Sequence, residues 1–323
     1  MSFSKRETEM TSKKSVISIH KIAELAGVSP GTVSRAFNDR SDISARTKQR
    51  ILKLAQQYGY QPNRNARQLV KGSTETLGIV VPDLRNPFLA ELAAMLEIAA
   101  REHNYHAIVA FTHDEDELQE QVLLRMGAGQ VDGLIIVPAE TQASVEMLNA
   151  FSQRLPVISL KALKGLKCDT VMADDDAGAR LVLEHLHDLG HRHILYITPE
   201  SPEWTVALRR NSLRSGLVEY PSMRMISLNL PDQEMDRHHA ILREALECHC
   251  RQACDISAVI AYDDFMALHI YSILSELKVA VPEQVSLIGF DDAEMVRLAG
   301  LELTSVSFDA EQTAQAALDL FIR

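Results

Sequence analysis

Between residues 77 and 290 the chain alternates short β-rich runs with helical stretches of about 10–15 residues, and this alternation constrains the fold more than any other feature. The runs LGIVVP, HAIVAF, DGLIIVP, PVISL and TVMA are separated by helical patterns over 87–102, 115–126 and from 142 onward. The pattern then resumes with HILYI, MRMISL, ISAVIAY and VSLIGF, separated by helices over 177–189, 206–219, 233–248 and 265–277. Strands that alternate with helices imply parallel sheets of βαβ units. About ten strands are many for one open sheet, so the spacing predicts two sheets with a cleft between them. Ligands in such folds bind at the carboxyl ends of the strands.

The first 76 residues do not share this pattern, and they differ in charge. Residues 1–72 hold 14 Lys/Arg against 5 Asp/Glu, a balance of +9, whereas the remaining residues hold 19 against 39, a balance of −20. A basic head on an acidic body fits a head that meets a polyanion; a disordered basic tail is the plainer alternative. No run is long and apolar enough for a membrane span. The N-terminus lacks the apolar core of a signal peptide, so the expected location is the cytoplasm, with no membrane partner.

Within the head, IHKIAELAGVSPGTVSRAFN (19–38) carries two helical patterns around a Gly-Val-Ser step. Gly27 suits a left-handed helix stop, Ser29 an N-cap and Pro30 the first helical position. A third helix is expected over 44–58, ended by Gly59. Three short helices with a tight first turn make a helix-turn-helix, whose second helix enters the major groove. The small residues Pro30 and Gly31 permit close approach to DNA. Thr32 and Ser34 can bond phosphate, and Arg35 can grip guanine O6 and N7. A helical hairpin that binds protein is the rival reading.

IAELAGVSPGTVSRAFN, then YQPNRNARQL, then GIVVPDLRNPF resemble the LacI/GalR family of bacterial transcription regulators. VDGLII, LGHRHI, DDFMAL and VPEQVSLIGFDD extend the resemblance over nearly the whole chain. It implies an α/β protein: an all-α helix-turn-helix head joined to a two-lobed, periplasmic-binding-protein-like core of parallel sheets. The implied divisions are a tail (1–16), the DNA-binding domain (17–61), a hinge helix and linker (62–74) and the core (75–323). Its N-lobe would take 75–173 plus about 305–323, and its C-lobe 174–304. The chain stops at Arg323, whereas the family usually runs further, which implies a missing last strand or tail. The resemblance also implies Ser29 and Asn38 at the DNA, Asn63 and Ala66 at the minor groove, and Leu69 as the apolar wedge that opens the central base step.

The implied function is a DNA-binding repressor, controlled by a small carbohydrate effector in the cleft. Its partners would be a near-palindromic operator and a second copy of the chain, as a homodimer or a tetramer. The expected cleft residues are Asn86, Phe88, Lys161, Trp204, Arg209, Asp263 and Asp291. Arg209 is similar to the family's effector-gripping arginine; each aspartate also suits a helix cap or a solvated loop, and Asp264 suits a helix N-cap. Three departures concern the ligand. Ser212 and Leu213 replace Gly-Phe, Phe308 replaces a Gln, and Lys161 stands where many members carry an acid. If Lys161 faces the cleft, an anionic ligand such as a sugar phosphate follows; otherwise Lys161, Lys164 and Lys167 form a solvated basic loop.

Other function classes find less support. Cys248, His249, Cys250 and Cys254 are a zinc-type set, but C-x-C-x3-C is not a familiar zinc spacing, so a metal- or redox-responsive regulator stands as the alternative, beside a core that binds no ligand. No metal and no cofactor are expected. No Walker loop, G-x-S-x-G elbow, H-E-x-x-H or dinucleotide fingerprint occurs, so no enzyme is expected.

Overall fold

The computed structural model describes residues 17–37, 42–60, 72–200, 204–231, 235–251, 256–298, 300–301 and 303–323. Asn38, Asn63, Ala66, Leu69 and Cys254 lie outside them, as does the side chain of Trp204. The chain divides into two units, Met1–Thr74 and Glu75–Arg323.

In the first unit, α1 (Ile19–Ala26) starts at Ser18, whose hydroxyl accepts the Lys21 N–H, and stops at Gly27 in the left-handed conformation (φ 60°). Its caps satisfy backbone groups that the helix ends leave unpaired. After Val28 and Ser29 the chain enters α2 (Pro30–Phe37), and the Ser29 hydroxyl accepts the Thr32 N–H at 3.1 Å. The third helix, α3 (Ala45–Tyr58), is capped by Ser44 and Gly59. Ile22, Ala23, Ala26, Val33, Ala36 and Ile51 close one small core. The remaining face of α2 is thereby left outward.

The second unit contains two five-stranded sheets, and every strand pairing among the described residues is parallel. The first holds β1 (Thr76–Val81), β2 (His106–Phe111), β3 (Gly133–Ile136), β4 (Val157–Ser159) and β5 (Asp169–Thr170), in the order β2-β1-β3-β4-β5. Its helices are α4 (Pro87–Glu102), α5 (Asp116–Gly127) and α6 (Gln142–Phe151). The second sheet holds β6 (His193–Pro199), β7 (Arg224–Leu230), β8 (Ala258–Ala261), β9 (Ser286–Asp291) and β10 (Thr304–Ser307). Its order, β7-β6-β8-β9-β10, repeats that of the first. The helices here are α7 (Asp175–Asp188), α8 (Trp204–Gly216), α9 (Met235–Leu246), α10 (Asp264–Glu276) and the short α11 (Glu294–Leu298). A π turn, Glu247–Arg251, continues α9.

Central strands are apolar on both faces because helices cover both faces. Every residue of β1, β3 and β8 is buried. Two apolar clusters flank each sheet. The last helix, α12 (Ala310–Ile322), returns to the first sheet, packing on α4 through Ala314, Ala317, Leu318 and Phe321.

Two sequence expectations need correction. The return to the N-lobe, expected near residue 305, comes later, because Thr304–Ser307 pair with β9 in the second sheet. This four-residue strand is only half-buried, so its sequence lacks the apolar run that marks the others. Conversely, TVMA contributes only its first residue, Thr170, to the two-residue β5.

In each sheet the chain reverses its winding beside the first strand, between β1 and β3 and between β6 and β8. Such switch points open a crevice at the strand carboxyl ends. The loops that follow these strands carry the candidate site.

Candidate DNA interface and ligand cleft

On α2 the buried residues are Val33 and Ala36, while Ser29, Gly31 and Arg35 are exposed and Pro30, Thr32 and Ser34 half-exposed. The expected DNA-contacting residues of this helix therefore share its outer face. The Ser29 and Thr32 hydroxyls bond each other at 2.9 Å, so the N-terminal turn is already shaped. The Arg35 guanidinium folds back onto the Gly31 carbonyl (3.3 Å), the Thr32 hydroxyl (3.4 Å) and Asp42 (3.3 Å). Both members of the Arg35–Asp42 pair are about half exposed, and such pairs contribute only about 0–1 kcal/mol. The side chain is thus free to exchange Asp42 for a base edge.

In the second unit a cavity of about 150 Å³ lies between the lobes, bordered by Phe88 and Lys161 on one side and Arg209, Asp291, Tyr262 and Phe308 on the other. Arg209 is 8% exposed. Its Nε donates to Asp175 at 2.7 Å and its Nη1 to the Tyr262 carbonyl. The guanidinium carbon lies 4.3 Å from the Phe290 ring centroid, 4.8 Å from Tyr262 and 5.0 Å from Phe308. Burial opposes this charge, but Tyr262, Asp175 and Asp291 outweigh it and raise the Arg209 pKa. Aromatic faces attract cations in this geometry. The arginine is held by these contacts alone, with Nη2 making no hydrogen bond among the described residues.

Asp291 ends β9 and borders the same cavity, and its carboxylate accepts no hydrogen bond among the described residues. Burial pushes its carboxyl well above the ordinary range, and Asp263 adds to this while Arg209 offsets it. Asp291 and Asp292 both have positive φ, 107° and 54°. Backbone strain of this kind costs about 1–3 kcal/mol per residue and concentrates at functional sites. A donor from Arg209 beside an acceptor from Asp291 matches the two hydroxyls of a vicinal diol, and the aromatic walls suit the apolar face of a sugar ring.

The other expected residues take different places. Asn86 caps α4, accepting the Phe88 N–H at 2.9 Å, and its Nδ2 donates across the lobes to Asp263 at 3.2 Å. Asp263, not Asp264, is the N-cap of α10, accepting the Met266 N–H at 2.7 Å. Burial pushes its carboxyl up, offset by the Met266 N–H and Arg209. It borders not the 150 Å³ cavity but a neighbouring one of about 440 Å³, together with Tyr262 and His269. Asp264 is buried beneath the site, accepting the Ala293 N–H at 3.0 Å and the Ser305 hydroxyl at 2.7 Å. Only glycine fits at 289, because a Cβ there would lie 2.1 Å from the Asp264 carboxylate. Lys161 reaches the cleft but is paired with Glu140 at 2.9 Å.

Sequence reasoning missed Asp175, Glu140, Thr205 and the aromatic box. Three consecutive acids, Asp174–Asp176, stand at the start of α7. Asp174 does cap α7, while Asp175 holds Arg209 and Asp176 accepts the Ser212 hydroxyl. The departure at Phe308 was a usable signal, since an aromatic there completes the box. Among the described residues no three His, Cys, Asp or Glu side chains converge to hold a metal. Cys248 and Cys250 lie in the π turn. No helix among the described residues is long and apolar enough to cross a membrane.

Residues 18–63 match the family of bacterial regulatory proteins, lacI family, and residues 183–323 match a periplasmic binding protein-like domain. The HTH-type transcriptional regulator PtxS of Pseudomonas plecoglossicida is 31% identical over 319 residues, covering 95% of this chain and 88% of that protein. The sucrose operon repressor of Pediococcus pentosaceus is 27% identical over 288 residues, covering 89% and 86%. The crystal structure of the Lac repressor dimer bound to operator and the anti-inducer ONPF superimposes with a TM-score of 0.82 at 23% identity, covering 95% and 92%. With an outward-facing recognition helix and a two-lobed ligand cleft, the chain belongs to the LacI family of DNA-binding transcriptional regulators.

Proposed function

We propose that this regulator is a repressor that binds a near-palindromic operator as a homodimer and responds to a small carbohydrate held between its lobes. Ser29, Pro30, Gly31, Thr32, Ser34 and Arg35 contact the operator, with Arg35 reading a base. Asn38, Asn63, Ala66 and Leu69 take the roles that the family resemblance gives them. The single observation that carries the effector reading is the Asp291 carboxylate, which accepts no hydrogen bond among the described residues, beside the boxed Arg209. The sucrose operon named in a relative supports the carbohydrate class. The chain acts by binding, not catalysis, and works in the cytoplasm, where its operator is.

Dimerisation is supported by the edge strands. Ile108, Val109 and Phe111 on β2 are 41%, 40% and 41% exposed, and Ile226 on β7 is 50% exposed. Apolar edge strands left open are a liability that association removes. The Lac repressor relative is itself described as a dimer on its operator.

The test selects binding sites from genomic DNA and then titrates sugars against the labelled complex. Sugar-dependent change in affinity supports the reading, and no change with any sugar removes it. Arg35→Ala should lose about 1–3 kcal/mol of discrimination at one base pair per half-site. Equal weakening on all sequences would show Arg35 to be a phosphate contact only.

A further inference from the structure

The two lobes are joined across the cleft by a side chain that the sequence does not single out. Glu140 follows β3 in the loop before α6, and its side chain is 1% exposed. One carboxylate oxygen accepts the Thr205 backbone N–H at 3.0 Å, and the other accepts the Thr205 hydroxyl. Thr205 stands in the first turn of α8, in the opposite lobe, four residues before Arg209. A carboxylate at unpaired N–H groups of a helix start is favoured by the helix dipole. Here the capping acid comes from the other lobe.

The loop that presents it is pinned. Buried Gln119 accepts the Ala139 N–H at 3.0 Å and donates to Ser144 at 2.7 Å. Lys161 is held in turn, its carbonyl accepting the Ser159 hydroxyl at 2.6 Å, and its ammonium meets Glu140 at 2.9 Å. Burial alone would raise the Glu140 carboxyl, but Lys161 and Thr205 outweigh it and hold it below its ordinary value.

We propose that Glu140, Lys161 and Thr205 form an interlobe latch that ties the two lobes together across the cleft, places the helix carrying Arg209, and commits Lys161 to Glu140 rather than to an anion. The cleft therefore takes an uncharged polyhydroxy ligand and rejects sugar phosphates; this part rests on the cleft being the effector site. Closure and the placement of Arg209 become one event, because a carboxylate bonded to the first turn of α8 belongs to the other lobe. Glu140 and Lys161 act as positioning residues through Thr205.

The test uses the full chain without DNA or effector, so it reads the latch independently of the repressor reading. Lys161→Met leaves the buried Glu140 charge uncompensated. Amide exchange at the start of α8 should then rise by about tenfold or more, and Tm should fall by about 3–6 °C. Glu140→Gln combined with Lys161→Met makes a neutral pair, and should recover most of both losses. A single variant that changes neither readout, or a double variant no better than the single, overturns the latch. Millimolar inorganic phosphate should stabilise the parent no more than chloride of equal ionic strength. Phosphate-specific stabilisation that disappears in Lys161→Met would make Lys161 an anion receptor and overturn the proposal.

Discussion

The two lobes of the core share one strand order, yet they present opposite kinds of surface to the cleft. From the C-lobe comes a cation locked by its own lobe, with Arg209 held by Asp175, by the Tyr262 carbonyl and by three aromatic rings. The N-lobe contributes Asn86, Glu140 and Lys161, whose bonds run across the cleft or to each other. Topology therefore fixes where a site forms, and the loops after the strands decide what it does. One lobe is built as the anchor and the other as its cover.

The largest effect should come from the anchor. Arg209→Ala leaves Asp175 buried without its partner, and breaking such a pair costs about 3–5 kcal/mol. Thermal unfolding should show this loss, and the ligand's effect on DNA should vanish with it. To separate stability from grip, Arg209→Met with Asp175→Asn removes both charges; it should restore most of the stability but none of the ligand response. A ligand response that survives in this double variant would break the contrast between anchor and cover.

Asp291→Asn should come next. Charge-assisted hydrogen bonds are worth about 1.5–3 kcal/mol, so ligand affinity should fall about 10–150-fold. The pH dependence sharpens the point. Burial raises the Asp291 carboxyl, so it takes up a proton at higher pH than a free carboxylate does, and a ligand that donates hydroxyls favours the ionised form. Affinity should therefore rise as pH rises through this raised pKa, and calorimetry should find proton release on binding. Asp291→Asn should abolish that dependence.

On the cover side the effect should be smaller. Asn86→Ala removes one bond to Asp263 while sparing the Arg209 box, so it should cost about 0.5–1.5 kcal/mol in ligand affinity. A loss as large as that of Asp291→Asn would erase the asymmetry between lobes. A separate change, in stability rather than in ligand affinity, concerns Asp264, which burial pushes up to about 6 against bonds from Ser305 and Ala293. A carboxyl raised on folding favours the fold at low pH. Its contribution is complete below about pH 4 and is lost as pH rises through about 6. Denaturant melts across that window should show a flatter profile in Asp264→Asn.

The sequence alone settles the features whose causes are local. Gly27 and Gly59 end helices because only the backbone at that point matters, and the Ser29 turn needs a partner only three residues away. The repeating strands and helices are legible because each buries its own periodic face. Arg209 stands out through the family resemblance, and Asp291 as an acid just after an apolar run. Their partners do not. Asp175 lies 34 residues from Arg209, the Tyr262 carbonyl 53, and Glu140 lies 65 residues from Thr205. Nothing in spacing connects these groups, because they meet only once the strand order has set which loops are neighbours. A shift of one residue also reverses the roles of Asp263 and Asp264, since the first turn of α10 turns one acid to the cap and the other into the core. Lys161 shows the limit most plainly. Its charge is written in the sequence, but only the tertiary structure supplies the buried Glu140 that neutralises it, and that neighbour decides whether the charge is available to a ligand.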